Sequence, residues 1–205
     1  MDFLQYLNPE TLIRTFGLIG FFAVIFAESG LFFGFFLPGD SLLFTAGLLS
    51  TTLGVNIYLL AGGAVLMAIL GDSVGYYFGK KVGPALFVKE DSFIFKKRYL
   101  QKAEEFFAKH GPKSIVLARF VPIVRTFTPI LAGVGSMKYK VFLTYNIVGG
   151  IIWGGGITLL GYYLGSVIPN IDKYLVPIVL VIIAVSFIPV IVGVLSEMKT
   201  ETKAD

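Results

Sequence analysis

Three segments of the chain are each about 20 or more residues long and nearly uncharged: 55–78, 141–164 and 175–195. A helix of that length spans the roughly 30 Å hydrocarbon core of a bilayer. Charged residues make up 15% of the chain, whereas about a quarter of a typical soluble domain is charged. The pattern predicts an all-α, polytopic membrane protein folded as one transmembrane domain, 1–205. A β-barrel would instead show short segments of alternating polarity.

Positive charge is concentrated between residues 80 and 113, where nine lysines and arginines stand against four acids. The positive-inside rule predicts that this loop is cytoplasmic, and the same topology places the polar C-terminus there. Within the loop, 93–110 has aromatic residues at three- and four-residue spacing, which predicts an amphipathic helix on the inner membrane surface. Basic residues beside a membrane attract anionic lipid headgroups, so these are the expected partners rather than nucleic acid.

The stretch 28–47 is apolar enough for a bilayer, yet it contains Glu28 and Asp40 together with the helix-breaking pair Pro38 and Gly39. Irregular backbone at membrane depth is tolerated only where protein or a water-filled cavity surrounds it. The stretch therefore predicts a re-entrant hairpin that turns near Pro38-Gly39. A single kinked spanning helix is the alternative. The preceding segment, 11–27, fits either an interfacial helix or the first arm of the hairpin, which leaves the side of the N-terminus open.

A second stretch of the same character covers 114–135. It is apolar, but it contains two arginines, Arg119 and Arg125, and two prolines, Pro122 and Pro129. Two prolines and two charges are incompatible with a simple spanning helix. We predict a second re-entrant hairpin here, with both prolines at its turns.

The chain matches itself when it is shifted by 86 residues. The string Gly75-Tyr76-Tyr77-Phe78-Gly79 then falls on 161–165, and Ala46-Gly47 falls on Ala132-Gly133. The charge distribution makes the first span end inside and the second start inside. The sequence thus predicts two inverted repeats, about 11–79 and 114–165, followed by an extra helix at 174–195. Secondary transporters built this way bind substrate near the midplane, where the repeats meet.

Four ionisable residues lie deep in the two predicted hairpins: Glu28, Asp40, Arg119 and Arg125. Because an unpaired charge in the bilayer is costly, these residues are expected to pair, to line a wet cavity, or both. The arginines offer forked donors suited to binding phosphate oxygens. The acids suit proton coupling, since burial favours the neutral form of a carboxyl group and a nearby arginine favours the charged form. Ion bridges that only hold the hairpins together are the alternative.

Asp72 is a secondary candidate for this site, because it lies in the first predicted span, where charges are rare. Its alternative interpretation is an interfacial residue at a helix end. The chain has no cysteine, and its one histidine, His110, lies in the polar loop. We therefore expect no metal, no cofactor and no enzyme activity. The first residues lack a basic stretch and a cleavage site, so no signal peptide is expected. A homo-oligomer is compatible with the sequence.

Roughly residues 10–170 resemble the DedA family, the bacterial branch of the VTT-domain (SNARE-associated) membrane proteins. The resemblance rests on five motifs: Glu28-Ser29-Gly30, Phe36-Leu37-Pro38-Gly39-Asp40-Ser41, Gly71-Asp72-x-x-Gly75-Tyr76, Arg119-Phe120-x-Pro122-x-x-Arg125-Thr126 and Ala132-Gly133. Asp40 stands where many members have glutamate, which changes reach but not charge. By similarity, Glu28, Asp40, Arg119 and Arg125 match the essential acidic and basic residues of the family.

The resemblance implies a bacterial inner-membrane protein with opposed hairpins that translocates a lipid. Undecaprenyl phosphate and phosphatidylethanolamine are the implied substrates, often with proton dependence. The residues alone indicate an anion-binding, proton-capable site between repeats. They leave open a proton-coupled carrier for small solutes or ions. A membrane-bound phosphatase or lipid hydrolase, and a purely structural or partner-binding protein, are further alternatives.

Overall fold

The computed structural model of the chain describes residues 9–31, 34, 37–86, 107, 111–168 and 177. Within these ranges every regular element is helical. In chain order the helices are α1 (Pro9–Gly30), α2 (Gly39–Leu49), α3 (Ile57–Leu86), α4 (Ser114–Ala118), α5 (Pro122–Val134), α6 (Tyr139–Gly150) and α7 (Gly156–Val167). A π-helical turn, Ile151–Gly155, joins α6 to α7 without interruption.

Two helical segments are long and apolar enough to cross a membrane: Ile57–Val82 of α3, and Tyr139–Val167, which runs from α6 to α7. They confirm the helices predicted over 55–78 and 141–164, and each is longer than predicted. Large apolar side chains remain exposed along both; examples are Leu59, Leu66, Leu70 and Val74 on the first and Ile147, Ile151, Leu159 and Tyr163 on the second. Such extended apolar surfaces are rare on soluble monomers and suit contact with lipid.

The stretch 28–47 contains the end of α1 and all but the last two residues of α2. The two helices are separate elements, because α1 ends at Gly30 and α2 begins only at Gly39. They pack against each other. The turn therefore precedes Gly39 instead of containing it. Pro38 stands at the entrance of α2, where a missing backbone N–H costs no helical hydrogen bond. Gly17, with φ 59° and ψ −153°, interrupts α1 with a kink.

The stretch 114–135 contains α4 and α5. Arg119 directly follows α4, and Pro122 is the first residue of α5, where proline is well tolerated. The prediction of a turn at Pro129 is wrong, because Pro129 lies inside α5. A proline inside a helix loses one backbone hydrogen bond and needs room for its ring. The ring lies beside Gly75 of α3, where even an added Cβ would be at an ordinary contact distance of 3.4 Å from the Pro129 Cβ.

Each short helix packs against the long helix of the other half of the chain: α2 against α7, and α5 against α3. Glycines allow the backbones to approach closely. Gly47 of α2 faces the Thr158 carbonyl and the Tyr162 backbone nitrogen of α7, and Gly133 of α5 faces the Tyr76 carbonyl and the Lys80 backbone nitrogen of α3. The two glycines differ by the 86 residues of the sequence repeat, while the carbonyls that face them are offset from that register by one helical turn. The two halves therefore make similar glycine contacts with exchanged partners.

Two packed clusters hold these helices together. The first joins α1, α2, α3 and the π-helical turn through Phe21, Ile25, Leu42, Ala64 and Trp153, all at most 1% exposed. The second joins α3, α4, α5 and α6 through Tyr76, Ile115, Ala132 and Phe142. In it the Tyr76 and Phe142 rings stack with centroids 4.7 Å apart, and the Tyr76 hydroxyl donates to the Met137 carbonyl. The polar residues described below lie among these helices.

Gly133→Ala is expected to lower the free energy of unfolding by about 1–3 kcal/mol, because the new Cβ would overlap the Tyr76 carbonyl oxygen and force α5 away from α3. Thermal unfolding in detergent measures the effect. Gly62→Ala is the matched control, since a Cβ at this exposed helical position meets nothing within 4 Å. Equal melting temperatures for the two variants would contradict the close packing of α5 on α3.

Two predicted segments fall outside the described residues apart from Phe107 and Pro177: the amphipathic helix at 93–110 and the C-terminal helix at 174–195. The basic segment predicted to begin as a loop at residue 80 instead begins within α3, which continues to Leu86.

Candidate functional site

Arg125 connects the two halves of the chain through a buried group of three charges. It lies in the first turns of α5, and its Nη1 donates to Asp40 Oδ1 at 2.8 Å, while Nη2 pairs with Glu28 Oε1. Glu28 comes from the end of α1 and is fully buried, and Asp40 comes from the first turn of α2. One guanidinium is thus shared by two carboxylates that lie on either side of the break between α1 and α2.

The start of α2 also holds Glu28 in place. The backbone N–H of Gly39 donates to Glu28 Oε1 at 3.2 Å, which places a carboxylate at the positive end of the helix dipole. Gly39 has no side chain, and a Cβ at this position would overlap Glu28 Oε2. The glycine is therefore required by the close approach of the carboxylate and not by a turn.

Arg119 belongs to a second buried group. Its Nη2 contacts Asp72 Oδ2 of α3 and Asn146 Oδ1 of α6. The Asn146 amide nitrogen donates in turn to the Ile69 carbonyl of α3 at 3.1 Å. Gly149 leaves space for the arginine, since an added Cβ would lie 2.6 Å from Arg119 Cδ. The group joins α3, α6 and the end of α4 in the same interior.

Trp153 connects the two groups. Its indole N–H donates to Asp40 Oδ1 at 2.7 Å. The Cζ atoms of Arg125 and Arg119 lie 4.6 and 5.8 Å from the centroid of its ring, which is within the range of a cation–π interaction. Trp153 lies in the π-helical turn, and π-helical turns inside α-helices occur frequently at functional sites.

Some buried hydrogen-bond donors and acceptors of this interior have no partner among the described residues. Among the described residues, Arg119 Nε, Arg125 Nε and Glu28 Oε2 are buried without a hydrogen-bond partner. The Asp40 side chain is 21% exposed, compared with 7% for Arg125 and 0% for Glu28. Forked guanidinium donors bind phosphate and carboxylate oxygens. The arrangement can therefore bind an anion, and Asp40 is on the side where water or a ligand reaches it.

Of the four charged residues predicted to form one site, three come together directly: Glu28, Asp40 and Arg125. Arg119 pairs with Asp72 instead, and it approaches the other group through Trp153. Asp72 is only 4% exposed and bonded to an arginine. The interpretation of Asp72 as an interfacial residue at a helix end is therefore wrong.

Sequence reasoning missed Asn146 and Trp153. Asn146 is a lone carboxamide in an otherwise apolar span, and that was an available signal because a buried amide needs partners. Trp153 is the only tryptophan of the chain. The apolar sequence around Trp153 gave no sign that its indole makes a polar contact.

Comparisons with known proteins place the chain among membrane proteins. The VTT domain matches residues 37–163. Protein DedA of Escherichia coli (strain K12) is 41% identical over 185 residues, which cover 89% of this chain and 84% of that protein. Uncharacterized membrane proteins of Mycobacterium leprae (strain TN) and Mycobacterium tuberculosis (strain ATCC 25618 / H37Rv) are 45% and 47% identical over 94% of this chain. They are covered to 86% and 85% of their own lengths. No solved structure matches the chain significantly.

Proposed function

The chain belongs to the DedA family of VTT-domain membrane proteins, and from that premise we propose that it is a lipid flippase. The substrate is a phosphate-bearing lipid, either undecaprenyl phosphate or a phospholipid such as phosphatidylethanolamine. It crosses the bacterial inner membrane with proton coupling. The observation that carries the proposal is the buried Arg125 guanidinium, shared by two carboxylates from the other half of the chain. The proposal contains no bond-breaking step, so the protein needs neither enzyme activity nor a cofactor.

We propose that α1–α2 and α4–α5 are re-entrant hairpins of two inverted repeats. Their apolar helices, Thr15–Gly30, Gly39–Leu49 and Val124–Val134, are shorter than the roughly 20 residues needed to span a bilayer. The packing of α2 against α7 and of α5 against α3, each through a glycine, supports a pseudo-two-fold relation. With the basic segment 80–113 and the C-terminus in the cytoplasm, the hairpins enter from opposite faces, and their tips meet at the charged interior.

The chemistry of Arg125 supports phosphate binding. A phosphate oxygen accepts the same charge-assisted hydrogen bonds that Glu28 and Asp40 accept in this structure. The Nε of Arg125 is buried with no partner among the described residues and offers one more donor. The headgroup would therefore replace carboxylates at the guanidinium, while the acyl or prenyl chains remain in the lipid beside the apolar helix surfaces.

The charge balance of the interior supports proton coupling. Three acids (Glu28, Asp40 and Asp72) and two arginines (Arg119 and Arg125) sum to −3 + 2 = −1 when all are ionised. An uncompensated charge at membrane depth costs from about 3 to more than 10 kcal/mol. One bound proton removes this charge, and a second one would compensate an incoming anionic headgroup. A carboxyl group that releases Arg125 on protonation would thus couple proton uptake to loading.

A flipping assay tests the proposal. Purified protein is reconstituted with undecaprenyl phosphate, and a membrane-impermeant phosphatase reports the lipid that reaches the outer leaflet. We expect Arg119→Ala and Arg125→Ala to abolish transport. Arg125→Lys should leave transport about 10–100-fold slower, since lysine keeps the charge but loses the forked hydrogen bonds. A protonophore should slow the wild-type protein.

The matched control is Lys140→Ala, which removes one positive charge from an exposed position on α6. Full transport by the arginine-to-alanine variants would reject the proposed site. Uptake of a water-soluble anion that undecaprenyl phosphate does not inhibit would instead favour the proton-coupled carrier of small solutes or ions.

A further inference from the structure

The two carboxylates that share Arg125 each have a second hydrogen-bond donor that is not an arginine. Glu28 Oε1 accepts from the Gly39 backbone N–H at 3.2 Å. Asp40 Oδ1 accepts from the Trp153 indole N–H at 2.7 Å. If Arg125 turned away, neither carboxylate would be left without a partner.

The pair formed by Arg119 and Asp72 differs, because in the described part of the chain Asp72 has no such second donor. The Asp72 carboxylate contacts Arg119 and no other hydrogen-bond donor in the described part of the chain. Its side chain is 6% exposed, so water replaces a lost partner poorly. Asn146 also holds the guanidinium, and α3 in turn holds Asn146 through the Ile69 carbonyl. Removing Arg119 from this pair would strand a buried charge, which costs far more than exchanging one hydrogen bond for another.

We propose that Arg125 is the arginine that exchanges its partners for the anionic ligand, and that Trp153 is a positioning residue that holds Asp40 during the exchange. The Gly39 N–H does the same for Glu28. Arg119 stays paired with Asp72 throughout and keeps a fixed position next to the indole ring. The inference rests on the proposed function, since it divides the roles of the residues within that binding site. The ligand group is a phosphate that belongs to a lipid headgroup.

Trp153 also provides the readout, because it is the only tryptophan in the chain and its ring lies 4.6 Å from the Arg125 Cζ. Purified wild-type protein in detergent is titrated with short-chain phosphatidic acid while tryptophan emission is recorded. We expect a saturable change in emission as Arg125 leaves the ring. The matching diacylglycerol, which lacks the phosphate, should cause no change, and inorganic phosphate should act only at much higher concentration.

Trp153→Phe keeps the aromatic ring and removes the N–H. We expect it to weaken binding of radiolabelled phosphatidic acid about 10-fold, since Asp40 would then lose both the Arg125 and the Trp153 hydrogen bond when Arg125 is released. Adding Asp40→Asn should recover most of that loss, because a neutral carboxamide loses less than a carboxylate when these two donors are removed. A tryptophan that only filled space would not be rescued by a change at Asp40. Thermal unfolding establishes that the variants are folded.

Four further variants keep Trp153 and test the division of roles between the two arginines. Arg119→Gln should weaken binding more than 10-fold, and adding Asp72→Asn should recover most of the affinity. Arg125→Gln should abolish binding, and adding Asp40→Asn should not restore it. The opposite pattern of rescue would overturn the inference.

The outcomes separate the inference from the proposed function. Phosphatidic acid that binds without changing the emission, or with equal affinity to Trp153→Phe, would overturn the inference alone. Inorganic phosphate as effective as the lipid would overturn the lipid substrate but leave the exchange at Arg125 standing. No binding of either by the wild-type protein would overturn both.

Discussion

Replacing Arg125 by alanine is expected to lower the free energy of unfolding by about 3–5 kcal/mol, a large fraction of the stability of a typical domain. The variant removes the only cation that contacts both Glu28 and Asp40 among the described residues. Glu28 is 0% exposed, so its charge would be left in a dry interior. The single backbone donor at Gly39 compensates only part of that cost.

Denaturation in detergent, followed by circular dichroism, measures this loss. Adding Glu28→Gln and Asp40→Asn to Arg125→Ala should recover most of the stability, because no buried carboxylate then lacks a cation. Transport should stay absent in the triple variant, since the phosphate-binding group is still missing. Lys140→Ala provides the control for a lost positive charge at an exposed site. An unchanged unfolding transition for Arg125→Ala alone would mean that Arg125 does not pair with the two acids in the folded protein.

Gly39→Ala is the second substitution with a large expected effect, although it adds only one methyl group. The new Cβ would overlap Glu28 Oε2, so the carboxylate must leave the start of α2 and lose both its Gly39 and Arg125 contacts. We expect transport to fall at least about 100-fold, the effect of losing two charge-assisted hydrogen bonds of roughly 1.5 kcal/mol each. The flipping assay described above measures it.

Gly156→Ala is the control for one added methyl group on a helical glycine, because a Cβ there meets nothing within 4 Å. It should transport at the wild-type rate. Glu28→Ala combined with Gly39→Ala should be no worse than Glu28→Ala alone, since the clash acts only through that side chain. A Gly39→Ala variant with wild-type transport would show that the position of Glu28 does not matter for function.

The three site residues that contact one another directly were predictable, because charged residues are unusual in such apolar stretches. Acids and arginines are rare in apolar stretches, and Glu28, Asp40 and Arg125 all lie next to helix breaks. The 86-residue register aligns Gly39 with Arg125, and the structure brings these two helix starts together. Both long helices were equally predictable from the sequence, since length and low charge alone define them.

The partners of Arg119 were not predictable in the same way. Asp72 lies 47 residues earlier on a different helix, and no local pattern states which helix faces which. The orientation of Trp153 depends on a π-helical turn, which adds a residue and shifts every later side chain around the helix axis. A 3.6-residue period therefore assigns the wrong face beyond this turn. Pro129 misled for a similar reason, because α5 continues through it while packing against α3, a helix far away in the sequence.

The exchanged packing of the two halves has a consequence for how the chain is made. Arg125 follows Glu28 by 97 residues and Asp40 by 85. At a synthesis rate of about 5–20 residues per second, the two acids leave the ribosome roughly 5–20 s before their cation does. During that interval α2 also lacks α7, its main packing partner. The nascent first half must therefore keep its acids protonated or in contact with water, and it reaches its final burial only when the second half closes over it.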